Sequence, residues 1–132
     1  MKDQQKAHQQ YRQTSEQTAA PEEQVISLLQ EAIKQIQKGK TAIDCGERAE
    51  RNESLVQAQA YVLSLIPFVD DQTVEGERII SLYGYANRLL IRANLESDGM
   101  LLQEVEELLL WLRADWKVAL SNRRKKYVGD FI

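Results

Sequence analysis

The sequence predicts an all-α protein, an antiparallel up-down four-helix bundle with a flexible or short-helical N-terminal segment. Two observations carry that prediction. Apolar residues recur at spacings of three and four along four successive segments, the period of a helix with one buried face. The breaks between those segments are short and hold Gly, Pro or Asp, which joins neighbouring helices in opposite directions. No run of alternating apolar and polar residues competes as a strand. At 132 residues and 43% hydrophobic, the chain has the length of one domain and enough apolar mass for a core.

Residues 1–20 are polar and Gln-rich, with Tyr11 as their one large apolar group. Such a segment buries too little surface to order itself and is expected to be flexible. The first helix starts at Pro21, because proline suits the first helical position and Glu22 and Glu23 complement the positive end of the dipole. Ala20 is a poor N-cap, and Thr18 is the nearest better one. The buried seam reads Ile26, Leu29, Ile33, Ile36 and Ile43, interrupted by Lys40, and Gly46 marks the stop. The second helix starts between residues 48 and 53, with seam Leu55, Ala58, Val62, Leu65 and Val69; Pro67 ends it near Ile66 or kinks it.

Asp70 to Thr73 forms the next turn, and Thr73 caps a third helix that runs to about Leu95. Its seam is Ile79, Tyr83, Ala86, Leu90 and Ala93. Ser97-Asp98-Gly99 is a short connection in which Asp98 caps the fourth helix. That helix has the cleanest heptad, Leu102, Val105, Leu109, Leu112, Trp116 and Ala119, so Trp116 is expected in the core. The bundle is assigned residues 21–120, and residues 121–132 are expected to fray as a C-terminal tail. The alternation of three and four predicts left-handed packing.

Composition excludes several functions. A net charge of −3 argues against nucleic-acid binding, which wants a basic face. The basic run Arg123 to Lys126 reads as cations at a helix C-terminus, favoured by the dipole. His8 is the single histidine and lies in the N-terminal segment, so a histidine-based metal site or catalytic dyad inside the bundle is not expected. No phosphate-binding glycine loop or paired-cysteine zinc motif is present. Glu104 and Glu107 read as a solvated face. Neither cofactor nor catalysis is expected. Cys45 is the lone cysteine, which fits a reducing compartment. The first twenty residues lack the apolar stretch of a signal peptide, and the longest apolar run, Leu108 to Leu112, is far too short for a membrane span. A cytoplasmic location without membrane insertion is expected.

The chain carries more apolar side chains than a bundle core uses. Helix four adds Leu101, Leu108, Leu110 and Trp111 to its seam, and helix two adds Val56, Tyr61, Leu63, Ile66 and Phe68. They cover most of each helix circumference, so some apolar surface is left exposed, as at partner sites. An amphipathic helix of another chain is the natural occupant of a groove between bundle helices. Tyr83 lies on the seam of helix three; Tyr85 lies off it and is a candidate contact. Gly84, mid-helix, costs about 1 kcal/mol against alanine. It reads either as close approach of a partner backbone or as tight packing on a neighbouring helix of the same bundle.

The run Leu82-Tyr83-Gly84-Tyr85-Ala86-Asn87-Arg88-Leu89-Leu90-Ile91-Arg92-Ala93-Asn94 resembles the Leu-Tyr-x-Tyr-x-Asn-Arg segment of the FliS family of flagellar export chaperones. Three further pieces resemble that family in order and spacing. They are Tyr11 to Thr14 with Thr18-Ala19, Pro21 to Ile26 with Ala32-Ile33, and Glu104-Val105 with Trp116. The chain departs from the family's pattern at Ser27-Leu28-Leu29-Gln30-Glu31, at Gly84 where the family has Asp, at Leu89 where it has a second Arg, and at Pro67. The resemblance implies a chaperone that binds the disordered C-terminal segment of flagellin in the cytosol. It implies that binding prevents premature polymerisation and delivers the client to the flagellar secretion apparatus, without nucleotide or metal. It also makes Tyr11 a candidate competitor for, or lid over, part of the same apolar surface. The candidate partner-binding residues are Tyr11, Leu28, Ile66, Leu82, Tyr85, Asn87, Arg88, Leu89, Arg92 and Trp111. The competing expectation is a helical adaptor or a self-associating structural bundle, such as a homodimer, as in a diverged paralogue with another client.

Overall fold

A computed structural model describes the backbone of residues 19–129 and the side chains of residues 19–126. Four helices make up almost all of it: α1 Pro21–Asp44, α2 Arg48–Leu63, α3 Val74–Glu96 and α4 Gly99–Gly129. A short 3-10 turn, Ile66–Phe68, follows α2. Among the described residues there is no strand. Each helix packs on two others, in the order α1–α2–α3–α4 and back to α1, so the bundle is a square of antiparallel neighbours. Its centre holds Val25, Leu29, Ile36, Leu55, Val62, Leu65, Tyr83, Leu90, Leu102, Val105 and Leu109, all fully buried.

The helix ends follow local chemistry. Ala20 makes no side-chain cap, as its lack of a polar group dictates; Thr18 lies outside the described residues. Gly46, with φ +69°, turns the chain out of α1. Pro67 does end the second helix, but earlier than Ile66. Ser64 and Leu65 close α2, and Val69 is reached through the 3-10 turn, half-buried. Thr73 Oγ1 accepts from Gly76 N at 2.9 Å and caps α3. Asp98 Oδ1 accepts from Met100 N at 2.9 Å at the start of α4.

Two expectations for α4 are corrected. The helix continues to Gly129 instead of fraying at residue 121. Its later turns run alongside the start of α1, where Arg123 Nε meets Glu22 Oε1 at 2.9 Å and Arg124 Nη2 meets Glu23 Oε1 at 2.9 Å. The basic run therefore answers the acidic first turn of α1. Trp116 is only half-buried and packs on the rim of the core, and Ala119 is exposed. No described helix is long and apolar enough to cross a membrane.

Candidate functional site

One polar contact fixes how α3 and α4 face each other. Tyr85 O–H donates to Glu104 Oε1 at 2.6 Å. Leu82, Leu89 and Arg92 lie three, four and seven residues from Tyr85, so they share its face of α3. Leu101, Leu108 and Trp111 stand in the same relation to Glu104 on α4. The two stripes form the walls of the α3–α4 groove. Leu82, Leu101 and Leu108 pack on the core from its floor, half-buried. Trp111 and Val118 stand on its α4 rim, each 59% exposed, and Tyr85 is exposed on the α3 rim. Arg92 is exposed and pairs along its own helix with Glu96 at 3.3 Å.

The opposite flank of α3 faces α2. Arg51 Nε donates to Asn94 Oδ1 at 3.0 Å, and Asn94 Nδ2 donates to Asn52 Oδ1 at 3.0 Å. Asn87 lies seven residues before Asn94 and Ile91 three before it, on that same side. Arg88 stands between the two flanks on the outer surface of α3. The candidate residues Tyr85 and Asn87 thus lie on different flanks of α3, with Arg88 between them. Asn87 is half-buried and its Oδ1 has no hydrogen-bond partner.

The remaining candidates separate by burial. Leu89 was expected to contact a partner, but it is only 8% exposed and belongs to the core cluster. It sits one residue before Leu90, on the inner half of the α3–α4 seam, so it supports the groove from beneath. Leu28 of α1 and Ile66 of the 3-10 turn are half-buried against the core and lie outside both α3 stripes. Tyr11 lies outside the described residues. Glu104, read as one of many solvated carboxylates, spans the groove mouth. The available signal was its place in the Leu101–Glu104–Leu108–Trp111 stripe.

Electrostatics in the groove are mild. The hydrogen bond to Glu104 raises the Tyr85 pKa above its ordinary value; slight burial and the Glu104 charge add to this, and the Arg88 charge opposes it. Tyr85 is held as a neutral donor. A cleft of about 850 Å³ opens elsewhere, between α1 and α2. Its walls include Lys34, Gln35, Lys38, Glu50, Glu53 and Gln57. Ala42, Cys45 and Tyr61 line it as well.

The family model "Flagellar protein FliS" matches residues 4–123. The chain belongs to that family. It is also 31% identical over 121 residues to the flagellar secretion chaperone FliS of Bacillus subtilis (strain 168), a match spanning 91% of this chain and 90% of the relative. FliS proteins are flagellar secretion chaperones, and the helical bundle described above is the frame on which this one carries its groove.

Proposed function

We propose that this FliS-family protein binds the disordered C-terminal segment of flagellin in the cytoplasm, holds it from premature polymerisation and passes it to the flagellar export apparatus. The exposed α3–α4 groove carries the reading: a large aromatic, Trp111, stands 59% exposed two helical turns along α4 from the Tyr85–Glu104 contact, on the same side as half-buried leucines. A client segment that folds into an amphipathic helix covers these leucines with its apolar face. Trp111 and Tyr85 then become buried anchors, the residue types that dominate binding energy. Tyr85 and Glu104 offer the client polar contacts at the rim.

Titration calorimetry of the purified protein with the C-terminal segment of flagellin from the same bacterium tests this. Trp111→Ala and Tyr85→Ala should each weaken binding about tenfold or more, the range of an interface hot spot. Both should leave the melting temperature nearly unchanged, because neither side chain belongs to the buried core. Binding unaffected by either change, or a stable homodimer that takes up no flagellin segment, would overturn the reading.

A further inference from the structure

The last turns of α4 are basic in a molecule that is acidic as a whole. From Arg113 to Lys126 the chain carries six cations and one carboxylate, Asp115, within a net charge of −3. Residues 121–126 are all exposed and hold no apolar side chain. The family match ends at residue 123, so Arg124, Lys125 and Lys126 lie beyond it.

Two of these cations already hold carboxylates. Arg123 Nε donates to Glu22 Oε1 at 2.9 Å, and Arg124 Nη2 donates to Glu23 Oε1 at 2.9 Å. The hold is loose. Glu22 Oε2 lies 2.8 Å from Arg123 Nε but outside hydrogen-bonding geometry, and it is buried with no other partner. The Arg123 and Arg124 side chains remain 54% and 65% exposed. Pairs so open to water contribute little to stability and exchange readily. Lys125 and Lys126 pair with no carboxylate within 4.0 Å among the described residues. The first turn of α1 is thus an internal occupant, and it shows which chemistry this surface takes: carboxylates on consecutive residues.

We propose that the basic end of α4 binds an acidic segment of a partner protein, one with consecutive Asp or Glu residues, and that Glu22 and Glu23 occupy its arginines until that segment displaces them. Lys125 and Lys126 make the first contact, because local charge draws an acidic chain in from a distance. Arg123 and Arg124 then exchange Glu22 and Glu23 for the incoming carboxylates, which a guanidinium meets with two parallel hydrogen bonds. The released Glu22 and Glu23 stay favourable at the positive end of the α1 dipole, so the exchange costs the fold little. Two other anionic partners fit less well. From Ala119 to Lys126 no large apolar side chain is exposed, so a lipid surface would find charge but no inserted anchor. No aromatic lies among residues 117–126 on which a nucleic-acid base could stack.

Fluorescence anisotropy of a labelled hexaglutamate peptide with the full chain, at low salt, tests this. The parent should bind the peptide, and added salt should weaken binding steeply, since exposed charges are screened. Arg124→Gln, Lys125→Gln and Lys126→Gln combined should weaken binding about tenfold or more. Glu22→Gln with Glu23→Gln should instead tighten it about threefold, because the internal competitor is gone. Glu23→Gln alone, at the more exposed pair, should tighten it in part. Glu47→Gln with Glu50→Gln makes the same change in net charge at the other end of the bundle and should leave binding unchanged. Trp111→Ala should also leave it unchanged, which separates this surface from the flagellin groove. Glu22 and Glu23 variants that bind no tighter than the Glu47 and Glu50 variant would overturn the proposal, as would a basic-end variant that binds like the parent. Phosphatidylglycerol vesicles or duplex DNA held through the same residues, with hexaglutamate ignored, would overturn it by showing another class of partner.

Discussion

Tyr83 and Tyr85 are two residues apart and do different work. Tyr83 is fully buried and its hydroxyl has no partner in hydrogen-bonding geometry. Burial pushes its pKa above the ordinary 10.0, and the nearby Trp116 opposes this only in part. A raised pKa means that the folded state favours the neutral phenol. That contribution is fully present below about pH 10 and is lost as pH rises through the folded-state value. Tyr83→Phe removes the orphaned hydroxyl and keeps the ring. It should be neutral to stabilising by about 1 kcal/mol at pH 7 and should move alkaline unfolding to higher pH. Denaturant unfolding across pH 7 to 11 checks both. A clear loss of stability at pH 7 would show that the hydroxyl has a partner.

At the scale of the element, α3 is shaped by its glycines and its cap in opposite senses. Thr73→Ala removes the side-chain acceptor for Gly76 N and should cost about 1 kcal/mol. Gly76→Ala should cost more, although alanine is the better helix former, because its Cβ would lie 1.7 Å from the Asp70 carbonyl oxygen. Chemical denaturation of the two variants gives the order, and Gly76→Ala at or above parental stability would contradict it. These starts and stops were legible in the chain because caps and breakers act locally, through Thr73, Asp98, Gly46 and Pro67. Seam positions were legible wherever a helix has neighbours on both sides. The misses came where burial along a helix is uneven. Trp116 continues the α4 heptad and meets Tyr83 of α3, yet stays half-buried at the edge of the core, and Ala119 one turn on is exposed. Leu89 is drawn inward because α4 covers that flank. Periodicity also could not assign Tyr85 and Asn87 to different grooves. That required cross-helix bonds such as Tyr85–Glu104 and Asn94–Asn52.

For the molecule as a whole, the square arrangement leaves α3 with two open flanks, one against α4 and one against α2. Both carry exposed apolar side chains, with Glu104 and Arg92 on the α4 side, Arg51 on the α2 side and Arg88 between them. A disordered client that folds onto these flanks buries apolar surface and orders its own chain in the same step. Calorimetry of the flagellin segment should therefore show a large negative heat-capacity change, with favourable enthalpy opposed by entropy. Salt should weaken binding only modestly, since screening reaches the exposed Arg88 but not contacts removed from water. The net charge of −3 reinforces this, because long-range attraction to an acidic client is not available to the molecule as a whole. A steep salt dependence with little heat-capacity change would mean that charge and not apolar burial drives association. The partner would then have to be sought at the basic C-terminal turns of α4 instead of the flanks of α3.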